Sequence, residues 1–378
     1  MRLFFVTKQY SVRRDFIADR YFRLWHFPAE LARRGHQVLG FASAYRAGNA
    51  AGATERFPGG GELAWEAARL RPAWPFDWLG ALRRQRSRAR VAGVQAVVAS
   101  SDALQLACGR RLARALGVPL FVDFYDNYES YGASRAPGAR RAIATAARAA
   151  AGTLFVSEPL RQHLVARYGL RAPTITLENG VDPHAFAAGT REDARRELGL
   201  PPDARIVGTA GALDASRGID ALYGAFLQLA RERDDVFLAL AGDARVAPPA
   251  HPRVRHLGTL GQARMPLFWR ALDVAAICLR DDPFGRYCYP QKLPEIAAVG
   301  TPMVFPRIGV FAEPDAGRLG VVAPTADPAG FAAAIRQQLA APMPPRRRPQ
   351  SWAELGARLE AFLADTLALS RTAPVARG

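Results

Sequence analysis

A lysine and a glutamate lie one helical turn apart in a segment whose pattern changes from strand to loop to helix. Residues 273–305, DVAAICLRDDPFGRYCYPQKLPEIAAVGTPMVF, predict a strand, a loop, a helix and a second strand. Proline is tolerated only in the first turn of a helix, so Pro290 and Pro294 place the helix start within a residue or two of Pro290. The first turn therefore carries Lys292 and Glu295.

This turn combines groups that can hold an anion beside a sugar. The backbone amides of Gln291, Lys292 and Leu293 are expected to be free at a helix N-terminus, which attracts negative charge. Glu295 lies on the same face as Lys292, about 5 to 6 Å away at Cβ, where it can accept hydrogen bonds from sugar hydroxyls. A lysine and a glutamate that form only a solvated ion pair on a helix surface have the same spacing. The chain has only two lysines beside 49 arginines, and a lysine retained against that bias favours a functional point charge.

Strand-like and helix-like segments alternate along the sequence, which predicts an α/β fold with parallel sheets. At 378 residues the chain is long enough for two domains, each with its own core. One alternating series begins with an apolar strand at residues 2–7, and a second begins at residues 206–210, so we expect the boundary near residues 180–200. Ser351 and Glu354 form a capping box for a terminal helix with an apolar stripe.

Charged residues that follow the strands are candidates for chemistry, because open α/β sheets bind ligands at the carboxyl ends of their strands. Asp126 follows an apolar strand, and Arg217 ends a turn that begins at Gly211. We interpret Asp123 and Glu129, on either side of Asp126, as capping or loop residues. The glycines around this turn do not fit G-x-G-x-x-G, so the pattern excludes a dinucleotide fingerprint.

Two other segments fit either a ligand contact or an ordinary structural role, as a solvated surface or a loop. Residues 10–26 carry four arginines where an acceptor phosphate could be contacted, but we favour a solvated surface. These arginines are Arg13, Arg14, Arg20 and Arg23. Residues 44–63 contain three consecutive glycines without a following Lys-Ser/Thr, which predicts a flexible loop and not a phosphate loop.

Composition limits the class and location of the protein. The 49% apolar content indicates a globular chain. No apolar run reaches the ~18 to 20 residues of a membrane span, and the first residues lack a signal-peptide core, so we expect a cytoplasmic protein. The three cysteines form no CxxC pattern and predict neither a disulfide framework nor a zinc site.

The net charge of +17 favours an anionic partner. The sequence has no zinc-finger spacing, helix-turn-helix signal or aromatic RNA-binding signature, so we expect no nucleic acid. Residues 71–90 join Trp74, Phe76, Trp78 and Leu79 to a cluster of arginines at 83, 84, 86, 88 and 90, which suits the anionic inner face of a membrane. A buried helix with a solvated arginine-rich side fits this segment equally well.

The sequence resembles the retaining glycosyltransferase family 4 in five segments that occur in the family's order. These are LARRGHQV at 31–38, FVSEPL at 155–160, LENGVDPHAF at 177–186, GALDASRGID at 211–220 and YPQKLPEIAAVGTPMV at 289–304. The resemblance implies the GT-B architecture of two Rossmann-like parallel-sheet domains facing a cleft. It implies an acceptor-binding domain at residues 1–183, a nucleotide-sugar-binding domain at 184–350, and a helix at 351–378 that packs back on the N-terminal domain.

The resemblance also assigns roles to residues. Glu295 matches the second glutamate of the family's E-x7-E motif, which holds the ribose hydroxyls, and Tyr287 stands where the first glutamate is expected. Arg217 matches the basic residue that contacts the diphosphate, and Lys292 supplies a second positive charge. Asp126 is the nearest candidate for the histidine that the family carries near a strand end. The implied donor-binding residues are Gly211, Arg217, Tyr287, Gln291, Lys292, Leu293 and Glu295.

The implied function is a hexosyltransferase that moves a sugar, with retention at the anomeric carbon, from a nucleotide-sugar to a glycan or lipid-linked glycan, as in polysaccharide biosynthesis. Arg217 and Lys292 would stabilise the leaving diphosphate, so no metal or other cofactor is expected, and Asp126 would orient the acceptor. Two alternatives stay open: a sugar-nucleotide 2-epimerase of GT-B architecture, and a non-catalytic nucleotide-sugar-binding subunit.

Overall fold

The computed structural model describes residues 1–11, 14–45, 51–71, 75–187 and 189–372. Contacts within it divide the chain into two α/β units. The N-terminal domain comprises Met1–Asn179 and a final helix that begins at Trp352, and the C-terminal domain comprises Gly180–Ser351. The sequence places the boundaries at 183/184 and 350/351, whereas the structure divides the chain at 179/180 and 351/352.

The N-terminal domain is built on one large sheet flanked by helices. Its strands are β1 Arg2–Lys8, β2 Tyr10–Ser11, β3 Arg14–Asp15, β4 Gln37–Ala44, β5 Ala53–Arg56, β6 Glu62–Arg69, β7 Ala96–Ser100, β8 Leu120–Phe124, β9 Gly152–Phe155 and β10 Thr174–Thr176. Its first helices are α1 Phe22–Arg33, α2 Pro75–Val91, α3 Ala103–Leu116, α4 Ala139–Ala149 and α5 Glu158–Tyr168. The order of the large sheet is β10-β9-β8-β7-β1-β4-β6-β5, in which the described strands pair in parallel except β5 with β6, and β2 and β3 form a separate antiparallel pair.

The C-terminal domain has a smaller sheet in which every pairing is parallel. Its helices are α6 Pro183–Ala187, α7 Arg191–Leu198, α8 Ile219–Glu232, α9 Met265–Ala271, α10 Lys292–Val299 and α11 Pro328–Ala340. Its strands are β11 Arg205–Ala210, β12 Val236–Ala241, β13 Val254–His256, β14 Val274–Ala276, β15 Met303–Pro306 and β16 Val321–Ala323. The sheet order is β13-β12-β11-β14-β15-β16.

Continuous apolar runs explain why the central strands form parallel sheets. β7 and β8 are buried along their whole length, as expected for strands covered by helices on both faces. In the C-terminal domain, α8 packs the side chains of Leu222, Phe226 and Leu229 into a core shared with α11 and the sheet. Two parallel-sheet α/β domains are thus present, as the alternating pattern predicts.

The last helix, α12 Trp352–Thr372, packs against α1 of the N-terminal domain. The ring of Trp352 stacks on that of His26, with centroids 4.5 Å apart and planes at 10°. Gly356 is required at the crossing, because a Cβ there would lie 2.5 Å from the Cβ of Glu30. The apolar stripe predicted for this helix therefore packs against the first half of the chain.

The glycine-rich segment at 44–63 is not the loop that the sequence predicts. Residues 46–50 lie outside the described residues, but β5 and the start of β6 fall within the segment. β6 pairs in parallel with β4 over its whole length, and β5 adds an antiparallel edge strand. The glycines lie in the turn between these strands, where the Phe57 amide donates to the Gly61 carbonyl at 2.9 Å. The prediction is wrong because pairing with β4 outweighs the weak strand propensity of Ala and Gly.

Candidate functional site

The candidate site of the C-terminal domain is centred on the start of α10, at the carboxyl edge of the sheet. β14 ends at Ala276, and the chain returns through residues 277–291 to the first residue of α10, Lys292. Pro294 fits the first turn because the N–H that proline lacks has no partner there. The helix ends at Gly300 with φ +81°, a left-handed conformation that glycine adopts easily. The helix limits predicted from the prolines and this glycine agree with the structure.

The backbone at the start of α10 is less open than the sequence predicts. The Leu293 amide donates to the Pro290 carbonyl at 3.0 Å, and the Leu293 side chain is buried. The prediction that this amide is free is therefore wrong, because a tight turn precedes the helix and uses it. Gln291 Nε2 donates to the Gly180 carbonyl at 3.0 Å, whereas its Oε1 is buried and has no hydrogen-bond partner among the described residues. That oxygen can accept a hydrogen bond from a ligand.

Lys292 directs its ammonium group towards β11. Its Nζ donates to Thr209 Oγ1 at 3.3 Å, and Thr209 Oγ1 donates to the Ala276 carbonyl at 2.7 Å. Burial lowers the pKa of Lys292, because leaving water disfavours the charged amine, and the positive charge of Arg217 lowers it further. Among the described residues no carboxylate lies within 4.0 Å of Nζ.

Arg217 lies at the end of a turn that hydrogen bonds hold in shape. The Asp214 carboxylate accepts from the Ser216 amide at 2.8 Å, and the Arg217 amide donates to the Asp214 carbonyl at 2.9 Å. Arg280 Nε donates to the Ala215 carbonyl at 2.5 Å from the neighbouring loop. These bonds fix the backbone from which the Arg217 side chain extends.

The Arg217 guanidinium packs over an aromatic ring and forms no ion pair with a described residue. Its Cζ lies 3.5 Å from the centroid of Phe284, a cation–π contact. No carboxylate in the described part of the chain comes within 4.0 Å of it. The turn begins at Gly211, whose φ of +115° favours glycine although a Cβ would meet no atom there. Arg217 and Lys292 are therefore two basic groups at one sheet edge, neither with a carboxylate within 4.0 Å among the described residues, and such an arrangement attracts a diphosphate.

Glu295 shares the first turn of α10 with Lys292, but its carboxylate is held by a different element. The residue is 5% exposed. Its Oε2 accepts from Trp269 Nε1 at 3.0 Å, and its Oε1 accepts from Gln262 Nε2 at 3.2 Å. Trp269 lies on α9, and Gln262 lies in the 3₁₀ turn before it. These two bonds fix the Glu295 carboxylate beside the first turn of α10.

Tyr287, which stands where a glutamate is expected, lies half-buried in the loop before α10. Its amide donates to the Phe284 carbonyl at 3.2 Å. The Asp282 carboxylate accepts from the amides of Phe284 at 2.9 Å and Gly285 at 2.8 Å. The loop is thus an ordered turn that presents Phe284 to Arg217.

Asp126 belongs to the N-terminal domain and follows β8. Its Oδ1 accepts from the Asn127 amide at 2.8 Å, and its Oδ2 accepts from the Tyr131 hydroxyl at 3.0 Å. Glu129, interpreted as a loop residue, pairs with Arg167 at 2.8 Å and accepts from the Tyr168 hydroxyl at 2.8 Å. The structure therefore places Asp126 in one domain and the other predicted site residues in the second.

Arg23 is not the surface arginine that we favoured. It is 1% exposed and forms a buried two-point ion pair with Asp123, with nitrogen–oxygen distances of 2.8 and 3.1 Å. The prediction fails because Arg23 lies on the inner face of α1, where a carboxylate at the end of β8 compensates its charge. Arg20 pairs with Glu55 at 3.1 Å, and Arg14 lies over the Tyr21 ring. Arg13 lies outside the described residues.

The described residues contain neither a metal-binding cluster nor a membrane-spanning helix. No group of three or more His, Cys, Asp or Glu side chains in that part of the chain is arranged to hold a metal ion. No described helix is long and apolar enough to cross a membrane. The three cysteines are buried, and none of them forms a disulfide bond.

Two family models match the chain in succession. The model of Glycosyltransferase Family 4 matches residues 24–185, and the model of Glycosyl transferases group 1 matches residues 204–341. The chain belongs to glycosyltransferase family 4. The family recognised from the five sequence segments is thus confirmed, and the two matches follow the two α/β domains.

Solved structures confirm the GT-B fold class. Sucrose-phosphate synthase from Thermosynechococcus elongatus superimposes with a TM-score of 0.69 at 16% identity, over 98% of this chain and 97% of that chain. HepE from Anabaena in complex with UDP superimposes with a TM-score of 0.70 at 16% identity, over 97% of this chain and all of that chain. A second HepE structure is in complex with UDP-glucose.

The similar curated proteins are named D-inositol 3-phosphate glycosyltransferases. One from Catenulispora acidiphila is 31% identical over 199 residues, which are 47% of this chain and 45% of that protein. One from Kineococcus radiotolerans is 27% identical over 259 residues, which are 61% of this chain and 57% of that protein. The chain spans about half the length of the curated relatives that it matches.

Sequence reasoning missed four residues that shape the site. Thr209 receives Lys292, Phe284 supports Arg217, and Trp269 and Gln262 hold Glu295. Thr209 alone carried a signal, as a polar residue next to the end of an apolar strand. Gln262 and Trp269 lie on one turn and helix and Phe284 lies in a later loop, and only the fold brings them to the start of α10 and to Arg217.

Proposed function

We propose that this protein transfers a sugar from a nucleotide-sugar to a glycan or lipid-linked glycan, with retention at the anomeric carbon. The observation that carries the proposal is a pair of basic groups without a carboxylate partner among the described residues, Lys292 on the first turn of α10 and Arg217 close enough to lower the pKa of Lys292. Holding two like charges together costs energy in the empty site, and a bound diphosphate would remove that cost. The C-terminal domain accordingly binds the donor.

The other donor contacts follow from the same elements. The diphosphate lies between Arg217 and Lys292, and the Glu295 carboxylate accepts hydrogen bonds from the ribose hydroxyls. Gln291 Oε1, buried and without a partner among the described residues, accepts from a further hydroxyl of the donor. The HepE complexes with UDP and UDP-glucose support a uridine nucleotide.

The reaction needs charge stabilisation and one proton transfer. The bond between the anomeric carbon and the phosphate oxygen breaks, and its electron pair goes to the diphosphate, where Arg217 and Lys292 stabilise the new charge. The acceptor oxygen bonds to the anomeric carbon on the same face, and its proton passes to the departing phosphate oxygen. Asp126 orients the acceptor hydroxyl. The two cations supply the charge that a metal ion supplies elsewhere, so we propose that no metal or other cofactor is used.

Calorimetric titration with UDP, GDP and ADP tests the donor site. We expect UDP to bind, and Arg217→Gln to weaken it. Arg255→Gln is the matched control, because Arg255 also lies over a phenylalanine ring of this domain, with its Cζ 5.5 Å from the Phe237 centroid. Equal affinities for the two variants, or no binding of any nucleotide, would overturn the donor assignment.

Product analysis separates the transferase from the two alternatives. With UDP-glucose and an acceptor extract, a new glycoside supports the transferase, and its anomeric configuration by NMR tests retention. An epimerised sugar nucleotide without a glycoside would select the 2-epimerase, and nucleotide binding without turnover would select the binding subunit. Tyr287→Phe is expected to lower kcat and leave UDP affinity unchanged if the hydroxyl contacts the donor sugar.

An association with the anionic inner face of a membrane, at residues 71–90, is also proposed. On α2, Phe76 is 76% exposed and Leu79 is 48% exposed, which leaves two apolar side chains on an arginine-rich helix. Trp78 is half-buried, and its Nε1 donates to the Arg71 carbonyl at 3.1 Å. Trp74 lies outside the described residues. A cytoplasmic location and the absence of a nucleic-acid partner stay predictions.

A further inference from the structure

The loop before α10 carries a phenylalanine whose ring lies beneath the guanidinium of Arg217. The Arg217 Cζ is 3.5 Å from the centroid of the Phe284 ring. A guanidinium standing on edge at this distance would press a nitrogen into the ring, so the planar group lies flat on the ring face. Within the described ranges no carboxylate comes within 4.0 Å of the guanidinium, so a ring and not an ion pair holds it.

A ring and a carboxylate restrain a guanidinium in different ways. A carboxylate accepts the N–H groups of the arginine and opposes its charge, so less of either remains for a ligand. An aromatic ring attracts the cation through its face and uses none of the N–H donors that lie in the guanidinium plane. Arg217 therefore keeps its charge and its donors while its position is restricted, which is the condition that a two-point contact with a phosphate requires.

Phe284 is itself fixed by the short turn that contains it. The Asp282 carboxylate accepts from the amides of Phe284 at 2.9 Å and Gly285 at 2.8 Å, and the Phe284 carbonyl accepts from the Cys288 amide at 3.0 Å. Glycine is required at position 285, because a Cβ there would lie 2.0 Å from the Arg280 carbonyl oxygen. The backbone around the ring is therefore held on both sides, and the ring has little freedom to leave the guanidinium.

The loop that carries Phe284 is also fastened to the turn from which Arg217 extends. Arg280, in that loop, donates from Nε to the Ala215 carbonyl at 2.5 Å. Its Nη2 donates to the Asp220 carboxylate at 2.9 Å, on the first turn of α8. The arginine and the ring therefore come from two segments that these bonds hold together, so the cation–π contact forms before any ligand arrives.

Both basic groups of the proposed donor site are thus restrained in the empty protein. Lys292 is held through the bond from its Nζ to Thr209 Oγ1 at 3.3 Å. Burial lowers the pKa of Lys292 and the charge of Arg217 lowers it further, so the two groups are close enough to interact. A phosphate that binds a long, mobile side chain must order that side chain, which weakens binding. The Phe284 ring removes this cost for Arg217.

We propose that Phe284 is a positioning residue for the donor diphosphate, because its ring holds Arg217 in place with the charge and the N–H donors left for phosphate. Phe284 acts through Arg217 and contacts no phosphate itself. What position 284 must supply is an aromatic face and not apolar volume alone. The proposal rests on the proposed donor site and adds the residue that orders this site before the nucleotide binds.

A double-mutant cycle on UDP binding tests this role. Calorimetric titrations compare the wild-type protein, Phe284→Leu, Arg217→Gln and the protein that carries both substitutions. Phe284→Leu is expected to raise the Kd for UDP about 2- to 10-fold, because Arg217 must then be ordered on binding. In the Arg217→Gln background the same substitution is expected to leave the Kd unchanged, because the cation that the ring positions is already absent. Phe284→Tyr keeps the aromatic face and is expected to keep the wild-type affinity.

Phe237→Leu is the matched control, because the Phe237 ring also lies beneath an arginine, at 5.5 Å from the Arg255 Cζ, and its loss is expected to leave the Kd unchanged. Urea denaturation checks that each variant is folded. Phe284→Met, which also lacks an aromatic face, takes the place of Phe284→Leu in the cycle if leucine unfolds the protein.

The outcomes separate this proposal from the donor assignment. A wild-type Kd in Phe284→Leu, or equal losses in the two backgrounds, would overturn the positioning role and leave the donor site standing. A loss in Phe284→Tyr as large as that in Phe284→Leu would also overturn it, because the tyrosine retains the ring face. A wild-type Kd in Arg217→Gln would instead contradict the donor assignment, and this proposal with it.

Discussion

Replacement of Lys292 by methionine is expected to raise the Kd for UDP about 10- to 150-fold. The ammonium group is 3.3 Å from Thr209 and has no carboxylate partner within 4.0 Å among the described residues, so its charge is available to a phosphate. A hydrogen bond to a charged group contributes about 1.5 to 3 kcal/mol, and each 1.4 kcal/mol changes Kd about tenfold. Methionine keeps a similar unbranched shape and removes the charge.

The same substitution is expected to change the stability of the unliganded protein little. It removes a charge that burial disfavours, which stabilises the fold, and it removes the bond to Thr209, which destabilises it. The Thr209 hydroxyl keeps its bond to the Ala276 carbonyl, so no buried donor is left unpaired. Urea denaturation measures this change in the free energy of unfolding separately from UDP binding.

Isothermal titration with UDP is the assay, and two variants control it. Lys292→Arg retains the charge and is expected to lose less affinity than Lys292→Met. Arg336→Met removes an exposed arginine of the same domain that pairs with Glu232 at 2.6 Å, and it is expected to leave the Kd unchanged. A wild-type Kd in Lys292→Met would refute the role of this charge in donor binding.

Three further predictions follow from the same contacts. Burial lowers the pKa of Lys292 below the usual 10.5, so rising pH should neutralise this amine and weaken UDP binding at a lower pH than for an ordinary lysine. The UDP affinity of Lys292→Arg should not change with pH in this way, and parallel curves for the two proteins would contradict the prediction. Trp269→Phe removes a donor to the buried Glu295 and should lower the free energy of unfolding in urea by about 1 to 3 kcal/mol. Trp65→Phe is its control, because the buried Trp65 Nε1 has no partner among the described residues, and equal losses would argue against the hydrogen bond. Phe76→Ser should reduce sedimentation with anionic vesicles, and unchanged sedimentation would remove α2 from the membrane proposal.

The elements of the proposed donor site could be predicted because their signals are local. Pro290 and Pro294 restrict where a helix can start, and Gly300 ends it, whatever the rest of the chain does. The alternation of apolar strands and helices likewise indicates parallel sheets, since both faces must be covered. The segment at 44–63 shows the limit, because β6 exists through its pairing with β4 and not through its own propensity.

The sequence by itself determined that Lys292 and Glu295 share one helical turn at a strand end, because backbone geometry fixes that spacing. Only the tertiary structure decided where their charged groups go. Lys292 reaches β11 and Glu295 is held by α9, since side chains several bonds long take the partners that packing supplies. The same holds for Lys8, at the end of β1. The parallel order of β1, β7 and β8 places this residue beside Tyr125 and Asp126.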